Sequence, residues 1–103
     1  MHQANPWRGE ASLFIGGRNH ILRPSFAALA AAEQELGSLF ALVERGAAGG
    51  LMLSELVVLF WHCLSDRESL TRDQLGQAVM RQGLTGVAPQ LRLLLGQILQ
   101  GEA

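Results

Sequence analysis

The chain has 103 residues, of which 49% are hydrophobic and 17% charged, and its formal net charge is −1. This length fits one domain with a modest core, and the composition excludes an intrinsically disordered chain. A balanced charge argues against a nucleic-acid partner, since such proteins carry a basic excess. The single cysteine excludes an internal disulfide, and apolar runs such as Leu56 to Trp61 are far shorter than the ~20 residues of a membrane span. We therefore expect a cytoplasmic protein that binds neither nucleic acid nor membrane.

Residues 1–9 are predicted to form a flexible tail, and residues 10–100 a single domain that opens with a β-hairpin over 10–23. Two strand-like runs flank Gly16 and Gly17, which accept the positive φ angles of a two-residue hairpin turn. Pro24 then ends the second strand. Because an isolated hairpin is marginal in water, this one must lie on helices or join another strand.

The rest of the sequence predicts four to five short helices, at about 26–36, 38–46, 55–64, 72–82 and 86–99. The predicted N-cap residues are Ser25, Ser38, Ser54 and Thr71. Glycines at 37 and 83 end the first and the fourth of these helices. Apolar residues, among them Phe26 and Phe40, recur in the first two predicted helices. The predicted fold class is therefore α+β, mostly α, with an N-terminal two-stranded hairpin followed by helices.

No arrangement of side chains points to catalysis. His62 and Cys63 are neighbours on a helix, where successive side chains diverge by about 100° and do not face each other. Three scattered histidines and one cysteine show no metal-ligand spacing, and no glycine-rich segment matches a phosphate-binding loop. We predict no enzyme, no cofactor and no metal.

An excess of apolar residues on the third helix points instead to protein–protein contact. Five apolar residues of this helix share one face and form a predicted core stripe. Val58, Leu59 and Trp61 lie on other sides of the helix. Such a helix is either enclosed by its own domain or covered by a partner. Leu93 lies off the stripe of the last helix and Trp7 lies in the tail, so these five residues form a predicted partner-binding patch. The core stripe is Leu53, Leu56, Val57, Phe60 and Leu64.

The order of parts from Asn5 to about Leu64 resembles the small tail-gene proteins of gene transfer agents and related prophages. The features that carry the resemblance are Asn5-Pro-Trp-Arg-Gly-Glu10, the Gly-Gly-Arg turn, the Ala-rich segment from Phe26 to Gly37, and the Leu-x-Leu-Ser-Glu-Leu entry to the third helix. Members are described as phage tail assembly chaperones and sometimes as tail tube proteins. The matching motifs are structural, so no active-site residue follows from them.

The resemblance implies a tail assembly chaperone that binds the hydrophobic, helical tape-measure protein and is displaced by tube subunits. The tape-measure protein, the major tail tube protein, or both are the implied partners, and a homo-oligomer is a further option. A tube or adaptor subunit retained in the particle is the alternative function, although tail tubes are usually β-rich and this sequence predicts one hairpin. A small DNA-binding regulator is a lesser alternative, since the arginines at 67, 72, 81 and 92 do not lie on one helix.

Overall fold

The computed structural model describes residues 10–101, which form a two-stranded antiparallel sheet followed by four helices. This confirms the predicted fold class, α+β and mostly helical. The predicted tail, residues 1–9, lies outside the described residues. The elements are β1 (Ala11–Ile15), β2 (Arg18–Leu22), α1 (Phe26–Leu36), α2 (Leu39–Ala47), α3 (Leu53–Cys63) and α4 (Arg72–Gln100).

The hairpin turns at the two predicted glycines. Gly16 and Gly17 have φ values of 59° and 81°, and they lie between the paired residues Ile15 and Arg18. Two successive residues with positive φ suit the right-handed twist of the strands, which is why glycines occupy this turn. The predicted hairpin is confirmed.

The outer edge of β2 is joined to the end of α3. The amide of Ser65 donates to the carbonyl of Ile21 at 3.0 Å, and the amide of Arg23 donates to the carbonyl of Cys63 at 2.6 Å. Leu22 and Leu64 form an isolated antiparallel bridge between these bonds. These contacts give the hairpin the additional support that a two-stranded sheet needs.

The outer edge of β1 is covered by two glutamine side chains of α4. Because Ile15 and Arg18 form the hydrogen-bonded pair beside the turn, the alternate carbonyls of Ser12 and Phe14 point away from β2. Gln82 Nε2 donates to the Phe14 carbonyl at 2.7 Å, and Gln90 Nε2 donates to the Ser12 carbonyl at 3.1 Å. Side-chain amides thus occupy positions that a third strand would fill.

α1 spans the predicted residues 26–36, and α2 lies one residue later in the chain than the predicted 38–46. Ser25 Oγ accepts from the amide of Ala28 at 3.1 Å, and Ser38 Oγ accepts from that of Ala41 at 3.2 Å. Gly37, with φ of 79°, ends α1. Its amide donates to the Glu33 carbonyl at 2.9 Å. Both serines therefore satisfy amides that the first helical turn leaves without partners.

The third helix begins earlier than predicted. Met52, rather than Ser54, is its N-cap residue, and the Met52 amide donates to Glu55 Oε1 at 2.9 Å. Glu55 also accepts two bonds from Arg45, at 2.7 and 2.6 Å, which join the end of α2 to the start of α3. At the start of α3 the Glu55 carboxylate therefore accepts from the N-cap amide, and no serine hydroxyl caps the helix.

The predicted fourth and fifth helices are the two parts of α4. Thr71 and Gln74 form the predicted capping box at its start. Gly83 leaves the helical conformation, with φ of 79° and ψ of 159°, and so separates the two parts. Pro89 lies inside the second part, beyond its first turn, so the helix lacks one amide hydrogen bond there.

The core lies between the inward face of the hairpin, α3 and both parts of α4, with α1 and α2 packed against it. Leu59 is 0% exposed and Leu53 is 42% exposed, so the predicted core stripe of α3 is wrong at these two positions. The buried stripe is Leu56, Leu59, Phe60 and Cys63, which has regular helical spacing. α3 contacts α1 on one side and α4 and β2 on others, which widens its buried face.

Candidate functional site

Three of the four phenylalanines lie on the surface. Phe26 is 89% exposed, Phe40 is 64% exposed and Phe14 is 57% exposed, whereas Phe60 is fully buried. Aromatic side chains bury 150–250 Å² each in typical cores and interfaces, so their exposure forgoes a large hydrophobic stabilisation. This distribution indicates a surface that a partner covers.

Phe26 and Phe40 belong to one open groove of about 330 Å³ between α1, α2 and the end of α4. Leu99, which is 56% exposed, also lines it. We call this the apolar groove. Its lining residues are Phe26, Leu29, Ala30, Glu33, Leu39, Phe40, Ile98 and Leu99.

The bend between α1 and α2 creates the groove. The two helices meet at 79° around Gly37 and Ser38. Glu33 Oε2 accepts from the amide of Leu39 at 3.1 Å, which ties α1 to the first turn of α2. Phe26 and Phe40 are the first and second residues of their helices. Side chains in a first turn extend back over the helix start, so both rings project beyond the packed faces.

The groove has little charge. Glu33 is its one charged lining residue, and the other seven are apolar. Such a lining favours the apolar face of an amphipathic helix, which docks through residues spaced i, i+3, i+4 and i+7. It offers no set of groups suited to chemistry on a small substrate.

The four described residues of the predicted partner-binding patch differ in their exposure. Leu59 is fully buried in the hydrophobic core, so its expected surface position is wrong. Val58, Trp61 and Leu93 are half-buried, and their role in partner binding stays a prediction. Trp7 lies outside the described residues. None of the four described residues lines the apolar groove.

Trp61 is covered on its ring face by arginines of the same chain. The guanidinium carbons of Arg67 and Arg72 lie 5.4 and 5.5 Å from the ring centroid, within the range of cation–π attraction. Arg72 Nη1 also donates to Glu35 Oε2 at 2.8 Å, and His62 Nε2 lies 2.7 Å from Glu35 Oε1. These bonds from Arg72 and then His62 lower the pKa of Glu35 to about 2. The cluster therefore links α1, α3 and α4.

Cys63 has the environment of a structural thiol. It is 1% exposed, and burial raises its pKa to about 12, so the reactive thiolate is disfavoured. His62 pairs with Glu35 on the helix surface rather than with this thiol. Within residues 10–101, no three side chains of the metal-binding types converge on one point.

Within the same residues no single helix is long and apolar enough to cross a membrane. Together, α1 and α2 reach the necessary length and composition, but they are bent relative to each other by 79°.

Comparison with known proteins identifies one family. A family model described as phage tail tube protein, GTA-gp10, matches residues 8–101. This range covers the hairpin and all four helices, including the part after Ser65 where the sequence motifs are least distinctive. No curated protein and no solved structure matches significantly.

Proposed function

Because this chain belongs to the phage tail tube protein, GTA-gp10, family and is thus a phage or gene transfer agent tail protein, we propose that it is a tail assembly chaperone. In this role it binds a hydrophobic, helical client, the tape-measure protein, in the cytoplasm of the host cell. The tube subunits displace it as they polymerise around that client. The chaperone acts without catalysis.

The observation that carries the proposal is the clustering of Phe26, Phe40 and Leu99 around one groove. These side chains are more than half exposed, so they contribute little to the chain's own core. A helix laid across the groove would bury apolar surface at roughly 25 cal/mol per Å². The partner gains this burial without any rearrangement of the chaperone core.

The size of the groove also suits a client that is later released. Stable protein interfaces bury about 800 Å² on each partner, and three exposed side chains provide only part of that area. The groove should therefore bind the client helix with moderate affinity, and a chaperone that is later displaced requires such an affinity. Several copies along a long client helix would keep its apolar face covered.

A structural role in the tail tube is the second candidate, because the family description itself names a tube protein. In that case the chain would remain in the finished particle and contact other tail proteins. Mass spectrometry of purified particles distinguishes the two roles. A chaperone is absent or present in trace amounts, whereas a tube subunit is among the most abundant proteins.

The groove is tested by co-expressing the chain with the tape-measure protein of the same gene cluster and measuring co-purification. Phe26→Ser and Phe40→Ser should each reduce recovery of the complex by at least about tenfold, as interface anchors do when truncated. Phe14→Ser is the matched control, since Phe14 is similarly exposed but lies outside the groove. Circular dichroism should show unchanged helix content in all three variants.

Two results would contradict the proposal. If all three variants bind the tape-measure protein as well as the unaltered chain does, the groove is not its site. If the unaltered chain fails to bind that protein and is abundant in particles, the structural role replaces the chaperone role.

A further inference from the structure

A second pocket, of about 360 Å³, lies between the turn end of the hairpin and the first part of α4. We call it the hairpin pocket. It is on a different part of the molecule from the apolar groove and shares no lining residue with it. Its polar side chains are Arg18, His20, Ser69, Gln74, Gln77 and Arg81.

His20 is the most unusual of these residues. It is 7% exposed and pairs with Leu13 across the hairpin, on the face that forms the core. Its ring makes no hydrogen bond to any residue in the range 10–101, and its nitrogens are not sealed from the surroundings, so they remain available to a ligand. The ring borders the hairpin pocket and can donate to a ligand there.

The two arginines of the pocket lack acidic partners. Arg23, Arg45 and Arg72 each form a salt bridge with a glutamate, whereas Arg18 and Arg81 form none within the described residues. No acidic side chain lines the pocket, although Glu68 and Asp73 are adjacent in sequence to lining residues. The positive charge of the pocket is therefore not neutralised within its own wall.

The α4 side of the pocket presents further donors. Gln74, Gln77 and Arg81 are spaced so that they share one face of the helix. Gln74 Oε1 already accepts from the amide of Thr71 at 2.8 Å, which leaves the Gln74 NH₂ group to donate. Two guanidinium groups, side-chain amides and a serine hydroxyl thus surround one opening, and all of them can donate to oxygen.

We propose that the hairpin pocket binds an oxyanion group, either a carboxylate or a phosphate, through Arg18, Arg81 and His20. Guanidinium groups match the planar oxygen pairs of both anions and form charge-assisted hydrogen bonds with them. The bound oxygen accepts a hydrogen bond from the His20 ring. This site is independent of the chaperone role.

The test is an NMR titration of the full chain at constant pH and ionic strength, with chloride replaced stepwise by phosphate in one arm and by acetate in the other. We expect saturable shifts of the His20 ring and the Arg81 side chain, with a dissociation constant on the order of 1 mM. Saturation with phosphate, with acetate or with both identifies which oxyanion the pocket accepts.

Arg81→Gln should weaken the binding of the saturating anion by about tenfold or more, since the substitution removes a charge-assisted hydrogen bond. Arg92→Gln is the matched control, because Arg92 is an exposed arginine of α4 outside the pocket. Arg18→Gln provides the same test should Arg81→Gln disturb the native spectrum. Linear, non-saturating shifts in both arms, or equal effects of the 81 and 92 variants, would overturn the proposal.

Discussion

The buried position of Leu59 leads to a prediction that separates core residues from binding residues on the same molecule. Leu59→Ala should lower the free energy of unfolding by about 3 kcal/mol, because Leu59 is 0% exposed and its truncation leaves a cavity in the core. That loss is a large part of the ~5–15 kcal/mol that stabilises a typical domain. At roughly 4–8 °C per kcal/mol, the thermal midpoint should fall by roughly 12–24 °C.

Urea unfolding followed by circular dichroism measures the loss directly. Leu99→Ala is the matched control, since it removes the same atoms from a side chain that is 56% exposed. Its cost should stay below about 1 kcal/mol, in proportion to the smaller area that it buries. Equal costs for the two variants would show that Leu59 is not in the core and would refute the assignment of the α3 stripe.

Two further predictions concern ionisable groups. Glu35 has a pKa of about 2, below its ordinary value of 4.5, so its bonds with Arg72 and His62 stabilise the fold above pH 4.5 and are lost as pH falls towards 2. Glu35→Gln should therefore reduce the fall in the urea midpoint between pH 5 and pH 3, and an unchanged pH profile would contradict this. Cys63 should react with a thiol reagent at pH 8 at least about a hundredfold more slowly in the folded chain than in urea, and equal rates would show that the thiol is accessible.

Local signals in the sequence predict most of the fold. Gly16 and Gly17 specify the hairpin turn because they adopt positive φ angles, and the serines before α1 and α2 specify helix starts because their hydroxyls accept amide protons. The start of α3 is mispredicted because Ser54 lies inside the helix, and a carboxylate rather than a hydroxyl accepts the amide proton at its start. Glu55 reaches back to the Met52 amide, and the arginine of α2 holds it there. That contact joins two elements, so a local pattern does not reveal it.

The candidate site was much harder to predict than the fold. Helical spacing identifies the apolar face of a helix. It does not show how much of the helix surface the neighbouring elements bury. Leu59 is buried because α3 has neighbours on several sides. Phe26 is exposed because it is the first residue of α1, where the ring extends past the surface that packs on α3. A signal was nonetheless present, since a large aromatic directly after an N-cap serine lies at a position that is seldom enclosed.

The edges of the sheet bear on the choice between a chaperone and a tube subunit. A tube built by strand addition needs an open strand edge, yet the β2 edge is bonded to the end of α3 and the β1 carbonyls are bonded to Gln82 and Gln90. Releasing the two glutamine bonds would cost about 1–3 kcal/mol in total, in addition to moving α4. The apolar groove requires no such change, because Phe26 and Phe40 are already exposed. The described part of the chain is therefore better prepared to receive a helix than to accept a strand, which favours a helical client.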